Sequence, residues 1–281
     1  MAHLYIVSTP IGNLGDLSHR AVEVLRGADR ILAEDTRRTG ILCRAYGIET
    51  PLVSAHEHNE AARAEQAVGW LEAGETLALV TDAGTPVLSD PGARLVARVV
   101  EAGHVVVPIP GASALLAALV GAGLGAEPFT FYGFLPRSGR MRKERLAELE
   151  GLPHTAVVYE SPERLVSLLD ELAESSGAGR RVVVARELTK VHEEFRRGTL
   201  REVADYYRGG VVKGEVVVVV EGSAPGSVEV DAEAAAALAG ALLAAGGRAS
   251  AVARDVARRL GIPRNRAYEI VQRLKGEDRA T

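Results

Sequence analysis

Apolar positions along the chain follow two alternating patterns. Short runs rich in Val, Ile and Leu, at Leu4–Ser8, Arg30–Ala33, Leu77–Thr81 and Val105–Ile109, predict buried strands, with a weaker one at Thr50–Ser54. Between them Leu17–Ala28, Asn59–Ala73 and Ala93–Ala102 carry apolar residues at helical spacing, and a helix from Ser113 to about Val120 closes this first half. Strand and helix in alternation imply crossover connections and a largely parallel sheet. The Gly-rich stretch Gly121–Pro128 reads as a linker.

A second alternating set follows, with strands at Phe129–Leu135, Thr155–Tyr159, Arg181–Arg186, Glu194–Gly198 and Glu215–Glu221 and helices at Arg142–Leu149, Pro162–Ser175 and Thr199–Tyr207. The run of five valines at 216–220 has no polar face, so it predicts a central strand covered on both sides. After a second linker, Gly222–Val230, the strands stop. Ala232–Ala245, Ser250–Leu260 and Arg264–Leu274 read as helices, the last two joined by a turn at 261–263 in a helix-turn-helix-like pattern. The expected architecture is therefore two α/β domains, 1–122 and 128–222, with a cleft between them, plus a helical basic tail at 231–281.

Composition narrows the class without naming a function. The 281 residues are 47% hydrophobic and 25% charged, ordinary for a soluble chain with a large core. One cysteine, Cys43, excludes an internal disulfide and a thiolate zinc site, and fits a cytoplasmic protein. The first residues lack the basic and long apolar regions of a signal peptide. The most apolar stretch, Gly111–Ala126, falls short of the about 18 uninterrupted apolar residues of a membrane helix.

Chemistry concentrates in three loops that follow strands in the first half: Thr9–Asp16, Thr81–Gly92 and Pro108–Ala114. In open α/β sheets ligands bind beyond the carboxyl ends of strands. Glycines there admit close backbone approach and prolines fix loop shape, so the three loops predict a rigid, backbone-lined pocket. None is a Walker loop or a G-x-G-x-x-G fingerprint; GAGLGA at 121–126 follows a helix.

The segments AEDTRRT (33–39), TDAGTPVLSDPG (81–92), PIPGASA (108–114), FYGFLPR (131–137), VVYESPERL (157–165), ARELTKVHEE (185–194) and KGEVVVVVEG (213–222) together resemble one family. It is the bacterial family that 2′-O-methylates a cytidine ribose in the decoding centre of small-subunit ribosomal RNA, built on the tetrapyrrole-methylase fold. The resemblance runs in order from about residue 3 to 222, departing at Thr81, where Ser is usual, and Ala112, where Pro is frequent. It implies that S-adenosylmethionine sits in the interdomain cleft beside Pro10, Asp82, Ala83, Gly84, Leu88, Ser89, Asp90, Ala112 and Ser113, with Phe134 and Leu135 from the second domain. It also implies a homodimer and an assembled 30S subunit as substrate. A porphyrinoid methyltransferase on the same fold and a non-enzymatic nucleic-acid-binding regulator are the alternatives.

A ribose hydroxyl is a poor nucleophile, so a positioned proton acceptor is expected. Glu34, Asp35, Glu160, Glu187 and Glu194 are the carboxylates to weigh, and Asp35, Glu187 and Lys190 are the catalytic candidates. An N-cap duty is the competing reading of Asp35, and a surface ion pair that of Glu187 with Lys190. His56 and His58 lack a second ligand cluster, so no metal is expected. Arg137, Arg140, Arg142 and Lys143, in PRSGRMRKER, are candidate phosphate contacts. The net charge of −4 hides an uneven distribution: residues 248–275 carry seven Arg and one Lys against Asp255 and Glu269, a local +6. A basic tail on an acidic body suits RNA binding at chosen places.

Overall fold

A computed structural model describes residues 2–223, 232–245, 247–260 and 264–277. Met1–Glu221 forms one unit and Gly222–Thr281 another. The first unit holds two five-stranded sheets.

The first sheet contains β1 (His3–Val7), β2 (Arg30–Ala33), β3 (Leu52–Ser54), β4 (Leu77–Val80) and β5 (Val105–Ile109), in the order β3-β2-β4-β1-β5 and parallel throughout. Its crossovers are α1 (His19–Gly27), α2 (Thr36–Tyr46), α3 (Glu60–Glu72) and α4 (Ala93–Glu101). Successive strand residues point to opposite faces, so Ile31, Ala33, Ala78 and Val80 pack under α1 and α2 while Leu32, Leu77 and Leu79 pack under α3 and α4. Both faces are thereby covered, as a parallel sheet requires. The carboxyl ends of β1, β4 and β5 lie side by side and carry the three Gly/Pro loops. Thr9 and Gly84 tie the first two loops with reciprocal backbone bonds of 2.8 and 3.0 Å.

The second sheet contains β6 (Phe129–Phe134), β7 (Thr155–Glu160), β8 (Arg181–Arg186), β9 (Glu194–Thr199) and β10 (Val216–Val220), in the order β6-β7-β10-β8-β9. Only β6 and β7 pair in parallel; the other pairs are antiparallel. Alternation of strands with α6 (Arg140–Gly151), α7 (Leu165–Ser176) and α8 (Leu200–Arg208) did not enforce a parallel sheet here, because β8 returns directly through a short loop into β9.

The five valines form the central strand, buried along its length. Val216, Val218 and Val220 pack against α7 and α8. Val217 and Val219 face the other way, onto Leu115, Ala118, Leu119 and Ala122 of α5 (Ala114–Ala122). The helix that ends the first lobe in sequence thus belongs to the interface between lobes. Burying a leucine such as Leu115 or Leu119 there contributes about 1.5–3 kcal/mol, which fastens the two sheets together. Gly121 has no side chain because the Phe195 ring of β9 occupies the space. Among the described residues no helix is long and apolar enough to cross a membrane.

The second unit contains α9 (Ala232–Ala244), α10 (Ala249–Leu260) and α11 (Arg264–Glu277). They share a seam of Ala235, Ala239, Val252, Ala253, Val256, Ala267, Ile270 and Val271, in which small alanines let the helices approach. Arg248, Arg254, Arg259 and Arg273 are exposed. The expected turn at 261–263 and most of the expected linker at 222–230 lie outside the described residues.

Candidate active site

A cleft of about 320 Å³ opens where the first-lobe loops meet the second sheet. That is the lower end of volumes that hold a small molecule. Asp82, Ala83, Gly84, Leu88, Ser89, Asp90 and Ser113 line it from the first lobe and Phe134 from the second. Gly84 has φ +89, and a Cβ there would meet Ile11 at 3.4 Å, so its bare backbone is part of the wall. Apolar surface comes from Ile11, Tyr159, Leu188 and Val217. Tyr159 also joins the lobes: its hydroxyl accepts the Leu115 N–H at 3.1 Å, while its ring meets Phe131 and Phe134 edge-on.

The polar lining is acidic. Glu34, Asp82, Asp90 and Glu215 all border the cleft. Thr81 donates to Glu34 at 2.7 Å, and the Asp35 N–H donates to Asp82 at 3.1 Å. Burial, followed by the charges of Glu34 and Asp82, pushes the Asp90 carboxyl up to about 6. Burial also raises Asp82, with Glu34 adding to it. Arg38, the one arginine of the lining, pairs with Asp82 at 3.4 Å.

Backbone strain gathers at the same place. Among the described residues the non-glycine positions with positive φ are Val87, Ser89, Glu187 and Thr189. All four sit in the two loops that bracket the cleft, and a β-branched residue such as Val87 adopts that conformation only when its surroundings impose it. Ser89 is held partly by Gly133, at a bulge in β6, where a Cβ would lie 2.8 Å from the serine hydroxyl.

Several expected site residues lie elsewhere. Asp35 is not in the cleft: its carboxylate caps α2, accepting the Arg37 N–H at 2.8 Å and the Arg37 side chain at 2.7 Å. Those bonds hold it well below the usual carboxylate range, so it is a poor proton acceptor. Glu34, its neighbour on the opposite side of the chain, borders the cleft instead. Leu135 is likewise turned away, into the core of the second sheet, while Phe134 faces the cleft. Pro10 borders a smaller adjoining cavity. Ala112 joins two loops by accepting from the Thr85 hydroxyl at 3.3 Å.

Glu187 and Lys190 flank Leu188 at the cleft and pair at 2.8 Å, with Lys190 also reaching Glu215 at 3.1 Å. The lysine hydrogen bond lowers the Glu187 carboxyl. Their loop touches the first lobe, where Asn13 donates to Thr189 at 3.1 Å. Of the expected phosphate contacts, Arg142 is corrected. Its guanidinium is buried against Glu171, at 2.9 and 3.0 Å, and Pro136, at 3.0 Å, because α6 turns this position inward. Glu160 is fully buried beside it, and Glu194 pairs with Arg186 at 2.9 Å. Arg137, Arg140 and Lys143 remain exposed, Arg140 pairing with Glu144.

Glu60 carries a role that spacing did not reveal. Its buried carboxylate accepts from the N–H groups of Gly92, Arg94 and Leu95 at 3.0, 2.8 and 3.3 Å, and so caps α4 and pins the end of the Thr81–Gly92 loop. Glu60→Ala leaves three amides without this acceptor and is expected to cost about 2 kcal/mol of stability. Chemical denaturation checks this; an unchanged midpoint would show that the cap is dispensable.

Residues 3–204 match the family model of tetrapyrrole (corrin/porphyrin) methylases. A ribosomal RNA small subunit methyltransferase I of Bacillus subtilis is 48% identical over 83% of this chain and 79% of its own. One from Synechocystis is 43% identical over 99% and 100%. Among solved structures, a cobalt precorrin-4 methyltransferase shares the fold at TM-score 0.61 and 17% identity, covering 78% of this chain and 94% of its own. A uroporphyrin-III C-methyltransferase of Thermus thermophilus, solved with S-adenosyl homocysteine, does so at TM-score 0.57 and 20% identity, covering 78% and 97%. The chain belongs to the tetrapyrrole methylase family, among its ribosomal RNA small subunit methyltransferase I members, and is a methyltransferase.

Proposed function

We propose that the protein transfers the methyl group of S-adenosylmethionine to the 2′-hydroxyl of a cytidine ribose in the decoding centre of small-subunit ribosomal RNA. The observation that carries the donor assignment is the acidic, half-apolar cleft. S-adenosylmethionine supplies an electrophilic methyl group on a cationic sulfur. Asp82, Asp90 and Glu34 set negative charge against a cation, and Phe134, Tyr159 and Leu188 offer apolar surface to an uncharged ring. The open backbone at Ala83–Gly84 and Ser113 suits close approach of a ligand's polar edges. The ribosomal acceptor is favoured by the names of relatives alignable over most or all of the chain. Exposed Arg137, Arg140 and Lys143 on one lobe, and Arg248, Arg254, Arg259 and Arg273 in the helical unit, favour a polyanion over a macrocycle.

Lys190 and Glu187, paired beside the cleft residues Leu188 and Glu215, would hydrogen-bond an arriving hydroxyl and orient it. Since Lys190 weakens Glu187 as a base, alignment is their main contribution. Incubating the protein with labelled S-adenosylmethionine and undermethylated 30S subunits, followed by mapping of ribose methylation, tests the reading. Label at one cytidine 2′-oxygen is expected. Label absent from RNA but present in a porphyrinoid control would replace it with the macrocycle chemistry of the fold's other members.

A further inference from the structure

A second cavity, of about 140 Å³, adjoins the cleft between the Thr9–Asp16 loop and α2. The two share Arg38 and Asp82, so the ion pair of those residues is the partition between them. The floor is buried and mixed: Leu42 is apolar, while Thr9, Thr39 and Thr81 bring hydroxyl-bearing side chains. The rim pairs two aliphatic side chains across the opening. Leu14 and Ile41 both border the cavity and leave 46% and 56% of their surface exposed. Arg38 is 66% exposed at the same rim.

The loop carrying Leu14 is held at both sides. Tyr46 of α2 donates to the Leu14 carbonyl, and Asn13 is bonded to Thr189 of the second lobe. An apolar rim kept open on a rigid frame suits a flat ring entering edgewise, with polar floor groups meeting its edge. The charge pattern says which side of such a ligand faces where. The main cleft is lined with four carboxylates and repels phosphate, whereas the second cavity has only Asp82, set against Arg38, with the exposed Arg37, paired to Asp35, beside it at the first turn of α2.

We propose that this cavity is the acceptor-nucleoside pocket. A pyrimidine base drawn out of its RNA stack enters between Leu14 and Ile41, and its flanking phosphate lies on Arg38. The ribose is then carried across the Arg38–Asp82 partition, toward the methyl donor. Sequence-specific recognition of RNA reads bases splayed out of the stack, and an apolar slot with polar groups at its floor is a suitable seat for one. The assignment rests on the RNA reading given above.

Two substitutions at exposed positions test it without disturbing the core. Ile41→Trp fills the cavity, and Leu14→Glu sets a negative charge against the RNA backbone. Both are assayed for transfer to undermethylated 30S subunits, for S-adenosylmethionine affinity by calorimetry, and for melting temperature. The expected result is a loss of about tenfold or more in kcat/KM for 30S subunits, with donor affinity within about twofold of the parent and melting unchanged. Parental kcat/KM in both variants overturns the pocket. So does a parallel loss of donor affinity, which would make the cavity part of the donor site. A parent protein that binds the donor but labels no RNA overturns the functional reading, and this pocket with it.

Discussion

Replacing Asp90 with asparagine is expected to weaken S-adenosylmethionine binding while making the protein harder to unfold at neutral pH. The carboxyl is raised from 3.8 to about 6, first by burial and then by Glu34 and Asp82. Between those values the folded protein keeps a proton that the unfolded chain has released. Stability therefore falls as pH rises through that window and stays lower above it. Discounted for solvent screening of a half-buried group, the penalty at neutral pH is about 1–2 kcal/mol. Asparagine removes the charge and keeps the shape, so the melting temperature is expected to rise by roughly 3–6 °C at pH 7.5. The gain should shrink as pH falls toward 4, where the parent's Asp90 is already neutral. Donor affinity should drop at least ~tenfold, because one of the carboxylates lining the cleft proposed for the cationic donor is gone. In the parent that affinity should climb as pH rises through about 6. Thermal scans and calorimetry at pH 7.5 and 4.5 measure both halves. A variant that gains no stability at pH 7.5, or binds the donor as well as its parent, refutes the assignment.

This tension between stability and binding explains why the cleft was partly legible in the sequence. Loops at strand ends that are rich in Gly, Pro and Asp are poor at building cores, so the Thr81–Gly92 loop stands out by composition alone. Most of its cleft residues could be named from the resemblance. Which face a side chain takes is harder to read where a strand ends. At Glu34–Asp35 and Phe134–Leu135 a single step along an extended chain moves a side chain from the cleft to a helix cap or a core. Ile11, Tyr159 and Val217 were missed for a different reason. An apolar residue facing a ligand has the same pattern as one facing a helix, and only the tertiary arrangement separates them. The helix α2 is weakly patterned, with Gly40 and two threonines among its eleven residues, and the sequence revealed its start better than its extent. The run 216–220 was readable as a central strand because five valines leave no solvent face, yet its antiparallel pairing depends on partners remote in the chain.

The basic segment after β6 shows the same difficulty in charged residues, and Arg142→Ala exposes it most sharply. In sequence Arg142 is one of five basic residues between 136 and 145, indistinguishable from its neighbours. In the fold its side chain is 9% exposed and anchors α6 to Glu171 of α7 and to the Pro136 carbonyl. Arg142 also stands 4.0 Å from Glu160, whose side chain is wholly buried and whose Oε2 has no hydrogen bond. Truncation to alanine would leave Glu160 with Arg164 and the Ser161 N–H, both on its Oε1, remove both bonds to Glu171 and open a void under α6. Removing one partner from a buried ionic network typically costs about 3–5 kcal/mol, much of it from the charge left behind. Arg142→Lys should recover only part of this, since an ammonium cannot reproduce the forked contact. Lys143→Ala, at an exposed position one residue on, should change stability by no more than about 0.5 kcal/mol. RNA affinity should separate the two in the opposite sense: Lys143→Ala weakens binding and flattens its salt dependence, as loss of a phosphate contact does. For Arg142→Ala, binding per folded molecule should keep the parent's salt slope. Urea titrations paired with RNA binding at two ionic strengths decide the matter, because an Arg142→Ala protein of parental stability and reduced salt slope would return this residue to the RNA surface.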